Sequence, residues 1–123
     1  MTLGKVIYDF GNEESHPCSK EEIIAMLSAF DGRIYRSVHA KYDGAPEFEP
    51  YPEDADLTTA LLVAYPYDEI YLYYLLARNA AANGNIQRYN NFTAICNSLF
   101  EEFAEDYHRE KAFAKATVIR EGL

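Results

Sequence analysis

Two helix-period stripes of apolar residues meet at Asn83-Gly84-Asn85, and this junction constrains the fold more than any other feature of the chain. Upstream, Ile70, Tyr73 or Tyr74, Ala77 and Ala81 mark one face, and Tyr67, Tyr71, Leu75 and Arg78 mark its neighbour. Downstream, Ile86, Tyr89, Phe92, Cys96, Leu99, Phe103 and Tyr107 recur at three- and four-residue steps. Gly84 can take the left-handed conformation that closes a helix, and Asn85 can cap the next one. Asn-Gly also signals β-hairpins, but the flanks here have a helical period rather than alternation. So short a connection between long helices favours an antiparallel pair. The spacing therefore predicts a helical hairpin over about 67–83 and 85–111. Pro66 is placed at its start, with Asp68 and Glu69 in the first turn, where carboxylates suit the helix dipole. Ala77, Ala80, Ala81, Ala82 and Ala94 include small side chains that would let the two backbones approach.

An earlier helix opens at Ser19. Ser19-Lys20-Glu21-Glu22 is a capping box, in which the serine accepts from an early free N–H and Glu22 reaches back. Ile23, Leu27, Phe30, Ile34 and Val38 follow in helical phase; Asp31-Gly32 interrupts the stripe, but the phase is kept beyond it, which predicts one helix over about 19–41, kinked at Gly32. A strand at Arg33–Lys41 is the alternative. Val6, Ile7 and Phe10 fit either a short helix or an edge strand. Between the helical segments, Asp43–Pro66 holds Gly44, Pro46, Pro50, Pro52 and Pro66, and so reads as an extended, proline-rich loop. Within it Thr58–Tyr65 could pair as a short strand. The expected architecture is mainly α, a helical bundle built on the hairpin, in one domain over 1–123 with 112–123 as a flexible tail.

The formal charge of -9 argues against free nucleic acid as a partner, because phosphate binding needs a concentrated basic surface. The charge is unevenly spread. Asp43, Glu47, Glu49, Glu53, Asp54, Asp56, Asp68 and Glu69 fall in a stretch without Lys or Arg, whereas Arg109, Lys111, Lys115 and Arg120 make the end basic. One subunit's end could meet another's acidic middle. No secretory leader or bilayer-spanning run is legible, which predicts a cytoplasmic protein without a membrane partner.

Catalytic machinery is not legible either. His16 and Cys18 share a loop, but nothing supplies an orienting group, an oxyanion site or further metal ligands. Glu105-x-x-His108 matches half of a di-metal bundle motif, and the chain holds no second copy. The six glycines form no phosphate loop. The expectation is therefore no enzyme, no cofactor, no metal and no small-molecule substrate. A deep polar pocket joining His39 or His108 to carboxylates would argue otherwise.

The eleven tyrosines stand out, with Tyr65, Tyr67, Tyr71, Tyr73 and Tyr74 crowded together. Tyr73 and Tyr74 cannot share one helix face, so this helix needs neighbours on several sides. Core packing accounts for such residues, and so does a protein–protein surface, where tyrosine is enriched. The candidate contact residues are Tyr67, Tyr71, Tyr73, Tyr74, Tyr89, Phe92, Phe103 and Tyr107.

The runs Pro66-Tyr67-Asp68-Glu69-Ile70-Tyr71, Ala82-Asn83-Gly84-Asn85-Ile86 and Arg88-Tyr89-Asn90-Asn91, with the aromatics to Tyr107, resemble a group of proteins of tailed phages and prophages of Gram-positive bacteria. Asp31-Gly32-Arg33-Ile34 resembles an upstream motif of the same group, so the likeness covers roughly 19–107. Phe30 stands where leucine is usual, and Asn85 where the turn usually has glutamate. The resemblance implies a virion structural or assembly protein of head–tail connector (adaptor) type. Such a protein would associate with itself, a portal ring or other virion proteins, in the host cytoplasm or the virion. The alternative is a small acidic adaptor that binds a basic protein partner.

Overall fold

The hairpin junction closes as its sequence requires. The structure, a computed structural model, describes the backbone of residues 1–121 and the side chains through Lys115. Four α-helices account for most of it: α1 (Leu3–Glu13), α2 (Lys20–Ser37), α3 (Ile70–Ala82) and α4 (Ile86–Glu121). At the end of α3 the Asn85 N–H donates to Ala80 O at 2.9 Å and the Gly84 N–H to Ala81 O at 3.1 Å. These two bonds, with Gly84 at φ +72°, form a Schellman cap. Asn85 then serves the next helix, its Oδ1 accepting from the Arg88 N–H at 3.1 Å. Along the hairpin Tyr73 meets Phe92, Ile70 meets Cys96 and Tyr67 meets Phe103, so pairing runs backwards along α4 and the helices are antiparallel.

Several boundaries differ from those expected. α3 begins at Ile70 rather than Tyr67, because the chain turns twice before the helix: Tyr67 N donates to Ala64 O and Ile70 N to Tyr67 O. Asp68 and Glu69 thus precede the first turn. α4 is longer than expected, and the stretch assigned to a flexible tail is helical as far as Glu121; residues 122–123 lie outside the described residues. α2 runs through Asp31-Gly32 without a break and ends at Ser37, followed by a 3-10 turn at His39–Lys41. Arg33–Lys41 is therefore not a strand. The Ser19–Glu22 capping box forms, with the Glu22 N–H donating to Ser19 Oγ at 3.1 Å and the two side chains bonded to each other.

The first residues form helix α1, capped by Thr2, whose side chain accepts from the Lys5 N–H. Its leading N–H groups point at the central segment: Leu3 N donates to Thr59 O and Gly4 N to Leu57 O. These carbonyls satisfy donors that a helix start always leaves free. A single antiparallel bridge, Thr2 to Ala60, is all that Thr58–Tyr65 contributes to pairing. At its other end α1 is clamped to the hairpin, because Glu14 accepts from Asn79 Nδ2 at 2.8 Å and pairs with Arg88.

The core gathers the inner stripes of α1, α2 and α3, Cys96 and Phe103 of α4, and two residues of the central segment. Leu3, Val6 and Phe10 of α1, Ile23, Ile24, Leu27 and Ile34 of α2, Leu61 and Val63, and Ile70, Tyr71 and Leu75 of α3 are buried together. Ala77 and Ala80 are buried, whereas Ala81, Ala82 and Ala94 are exposed, so only the first two help close approach.

Candidate functional site

One buried carboxylate holds Tyr71 and the central segment in place. Asp31, fully buried on α2, accepts from the Tyr71 hydroxyl at 2.6 Å, the Tyr51 hydroxyl at 2.5 Å and the Leu62 N–H at 3.1 Å. Tyr71 in turn accepts from the Val63 N–H at 2.7 Å, and the Tyr51 N–H donates to Ser28 Oγ at 2.9 Å. A chain with few regular bonds of its own is thereby tied to α2 and α3 at Tyr51, Leu62 and Val63. Burial raises the Asp31 carboxyl above the usual carboxylate range, against the three hydrogen bonds that favour its charged form. Burial also drives the Tyr71 and Tyr51 phenols far upward, so both remain donors.

The remaining tyrosines of α3 point several ways and find neighbours within the chain. Tyr74 stacks on Phe30 at 4.1 Å between ring centroids, and its hydroxyl accepts from Arg33 at 3.0 Å. Tyr73 leans on Phe92, and Tyr67 meets Phe103 edge-on while its hydroxyl donates to Asp106. Tyr71 and Phe103 are buried, so these two belong to the core and the expectation of partner contact is corrected there. Tyr67, Tyr73, Tyr74, Phe92 and Tyr107 are half-buried, and Tyr89 is exposed. The large apolar side chains that do face outward are mostly others: Tyr65, Phe113, Ile86 and Tyr8. Phe113 was legible, since it falls out of phase with the stripe ending at Tyr107, which puts it on another face of α4.

A recess of about 290 Å³ opens where the central segment crosses α4. It is lined by Tyr65, Pro66 and Tyr67 on one side and by Phe103, Asp106, Tyr107 and Glu110 on the other, with His39 between. The rings are inclined rather than stacked: His39 to Tyr107 at 54°, Phe103 to Tyr107 at 47°, Tyr67 to Phe103 at 66°. His39 Nδ1 is buried without a hydrogen-bond partner, and burial lowers the imidazole below its ordinary value. The recess does bring His39 to carboxylates, as an enzyme would need. The orienting bond is missing, because Asp106 is engaged by Tyr67 and Arg109 and neither carboxylate is bonded to His39.

The other sequence candidates are occupied by local contacts. His16 stacks on Phe10 at 4.1 Å and its Nδ1 accepts from the Cys18 N–H. His108 Nδ1 is hydrogen-bonded to the Tyr42 hydroxyl, beside an open cleft that Lys41, Asp43, Lys111 and Lys115 share. Burial pushes the Cys96 thiol up to about 11, which makes it a poor nucleophile. Among the described residues, no group of three or more His, Cys, Asp or Glu side chains is placed to hold a metal ion. No described helix is long and apolar enough to cross a membrane.

Compared with known proteins, the chain matches no family model, no curated protein and no solved structure. What it can do must be argued from its own surface.

Proposed function

We propose that this chain is a non-enzymatic structural or assembly protein of a tailed-phage virion, of head–tail connector type, acting through protein–protein contacts. One observation carries the reading: α4 outruns everything it packs against. It has 36 residues against 13 in α3, about 54 Å against about 20 Å of helix. Its ring contacts with the body end at Tyr107 and His108, which meet His39 and Tyr42, and beyond them Lys111, Ala112 and Lys115 border an open cleft with Lys41, Tyr42 and Asp43. From Arg109 to Lys115 every side chain is exposed, and Phe113 is exposed to 75 %. A helical arm with an aromatic on it draws little stability from its own chain and gains it from a neighbour. The resemblance of the hairpin to virion-module proteins supplies the class of neighbour: a second copy or a portal ring.

Charge gives the arm a direction. Lys111 and Lys115 lie on it, while Asp43, Glu47, Glu49, Glu53, Asp54, Asp56 and Glu69 are exposed and form no ion pair among the described residues. Arm to acidic segment is a heterologous contact, which closes into rings when the rotation allows. The same free carboxylates favour a second reading, an acidic adaptor for a basic protein. The test is the mass of the purified chain in solution across concentration and salt, followed by binding to portal rings. Oligomers or ring binding support the assembly reading. A monomer at high concentration that ignores portal rings but binds basic proteins in a salt-sensitive way supports the adaptor.

A further inference from the structure

The recess between the central segment and α4 has the chemistry of a cation site. Its walls are aromatic: Tyr67, Phe103 and Tyr107 stand at mutual inclinations that enclose a space instead of filling it, and Tyr65 projects beside them with 86 % of its surface free. Aromatic faces carry negative quadrupole charge and attract ammonium groups, most strongly where water is excluded. Two carboxylates line the same space. Asp106 is already committed, its Oδ2 to the Tyr67 hydroxyl and its Oδ1 to Arg109 at 2.6 Å. Glu110 forms no ion pair among the described residues and supplies the unclaimed negative charge. The remaining wall is His39, which burial and the nearby Lys111 charge both keep towards its neutral form. Lys111 itself lies over the Tyr107 ring at 5.3 Å, so a bound cation shares that ring with it and depends on Tyr65, Tyr67 and Glu110.

We propose that this recess binds an organic ammonium group, either a free alkyl- or methylammonium compound or the end of a lysine side chain of a partner protein. The size agrees: about 290 Å³ lies at the small end of ligand pockets and admits a head group of a few carbons. A purely apolar recess would take the neutral carbon isostere equally well. Here the inclined rings and Glu110 make charge the deciding feature. The site shares Glu110 with the start of the arm but does not rest on the assembly reading, and its failure leaves that reading standing.

The test is a titration of the full chain, followed by calorimetry and by the tyrosine ring signals in NMR. The probes are choline, its neutral isostere 3,3-dimethylbutan-1-ol, and n-butylammonium as a mimic of the lysine end. Saturable binding of a cation, about tenfold tighter than the isostere, is expected. Choline alone binding identifies methylated ammonium as the ligand, and equal binding of butylammonium identifies a lysine-like end. Glu110→Gln and Tyr65→Ala change exposed side chains and leave the fold intact, and each should weaken cation binding several-fold. Equal affinity for the isostere, no saturable binding of either cation, or indifference to both substitutions would overturn the proposal.

Discussion

The Tyr71 hydroxyl donates to Asp31 Oδ1 at 2.6 Å and accepts from the Val63 N–H at 2.7 Å, so one phenol joins α3, α2 and the central segment. All three partners are buried, and none has water as a substitute. The order of the proline-rich stretch depends on this bond and on the two others that Asp31 accepts.

Replacing Tyr71 by phenylalanine keeps the ring and removes both bonds. The Val63 N–H is left without an acceptor and Asp31 loses one of three donors. The expected cost is about 2–4 kcal/mol of stability, since each buried group stranded this way costs about 1–3 kcal/mol. Tyr51→Phe should cost less, because Tyr51 is only half-buried. Denaturant unfolding of the two variants measures the difference, and equal small effects would remove the Asp31 centre from its role.

This centre also marks where the sequence could be read and where it could not. The hairpin was legible because its cap, its turn and its two stripes all agree, and the Ser19 cap was legible for the same reason. Asp31-Gly32 interrupts the apolar stripe of α2, although the helix continues through it. The spacing of Asp31 from Leu27 and Ile34 keeps it in phase with the buried stripe, and a carboxylate at a stripe position is the signature of a buried polar centre. The path of the central segment had no local signal, because it is tied to Ser28 and Asp31 by bonds that span 20 to 31 positions. The tyrosines in several directions did signal several neighbours. Those neighbours proved to be largely α2, α4 and the central segment of the same chain.

Two titratable groups, the buried Asp31 and the half-buried His39, should tilt the pH dependence in opposite directions. Burial raises Asp31 above 3.8, so the native state holds this proton more tightly than the unfolded chain. Its contribution to stability therefore increases as pH falls through the folded pKa and is complete below 3.8. Burial lowers His39 below 6.5, so the unfolded chain takes up that proton first. Stability is lost from this source as pH falls through 6.5, down to the folded value. NMR titration should find Asp31 above and His39 below those reference values, and His39→Gln should flatten the loss below neutrality. An Asp31 carboxyl titrating at or under 3.8 would contradict the burial argument.

Two glycines on helices should respond oppositely to alanine. A Cβ at Gly32 would lie 3.5 Å from the Phe48 ring, an ordinary contact, and the helix continues on both sides. Gly32→Ala is expected to stabilise by about 0.5–1 kcal/mol through backbone entropy. A Cβ at Gly4 would stand 3.1 Å from both the Cβ and the carbonyl oxygen of Leu57, and the Gly4 N–H donates to that same oxygen. The backbones must separate, which weakens the bond that docks α1 on the central segment. Gly4→Ala is expected to lose about 1–2 kcal/mol despite its better helix propensity. Thermal unfolding of both variants gives the comparison, and a stabilised Gly4→Ala would mean that this contact is slack.

The arm of α4 makes the strongest demand on solution behaviour. Phe113 is exposed to 75 %, so Phe113→Ser should leave the unfolding transition of the isolated chain nearly unchanged. Phe103 is buried on the same helix, and Phe103→Ala should cost about 3–5 kcal/mol. If the arm is an assembly contact, the two variants separate stability from association. Phe113→Ser should lower the mass seen by light scattering at a given concentration while the fold persists. Lys111→Glu with Lys115→Glu should do the same, and should make the remaining association less sensitive to salt, because surface attraction is screened within about 10 Å at 0.1 M. Unchanged mass and unchanged binding to portal rings in all these variants would place the contact surface elsewhere on the molecule. The exposed Ile86 and Tyr89, at the opposite end of α4, would then be the next residues to alter.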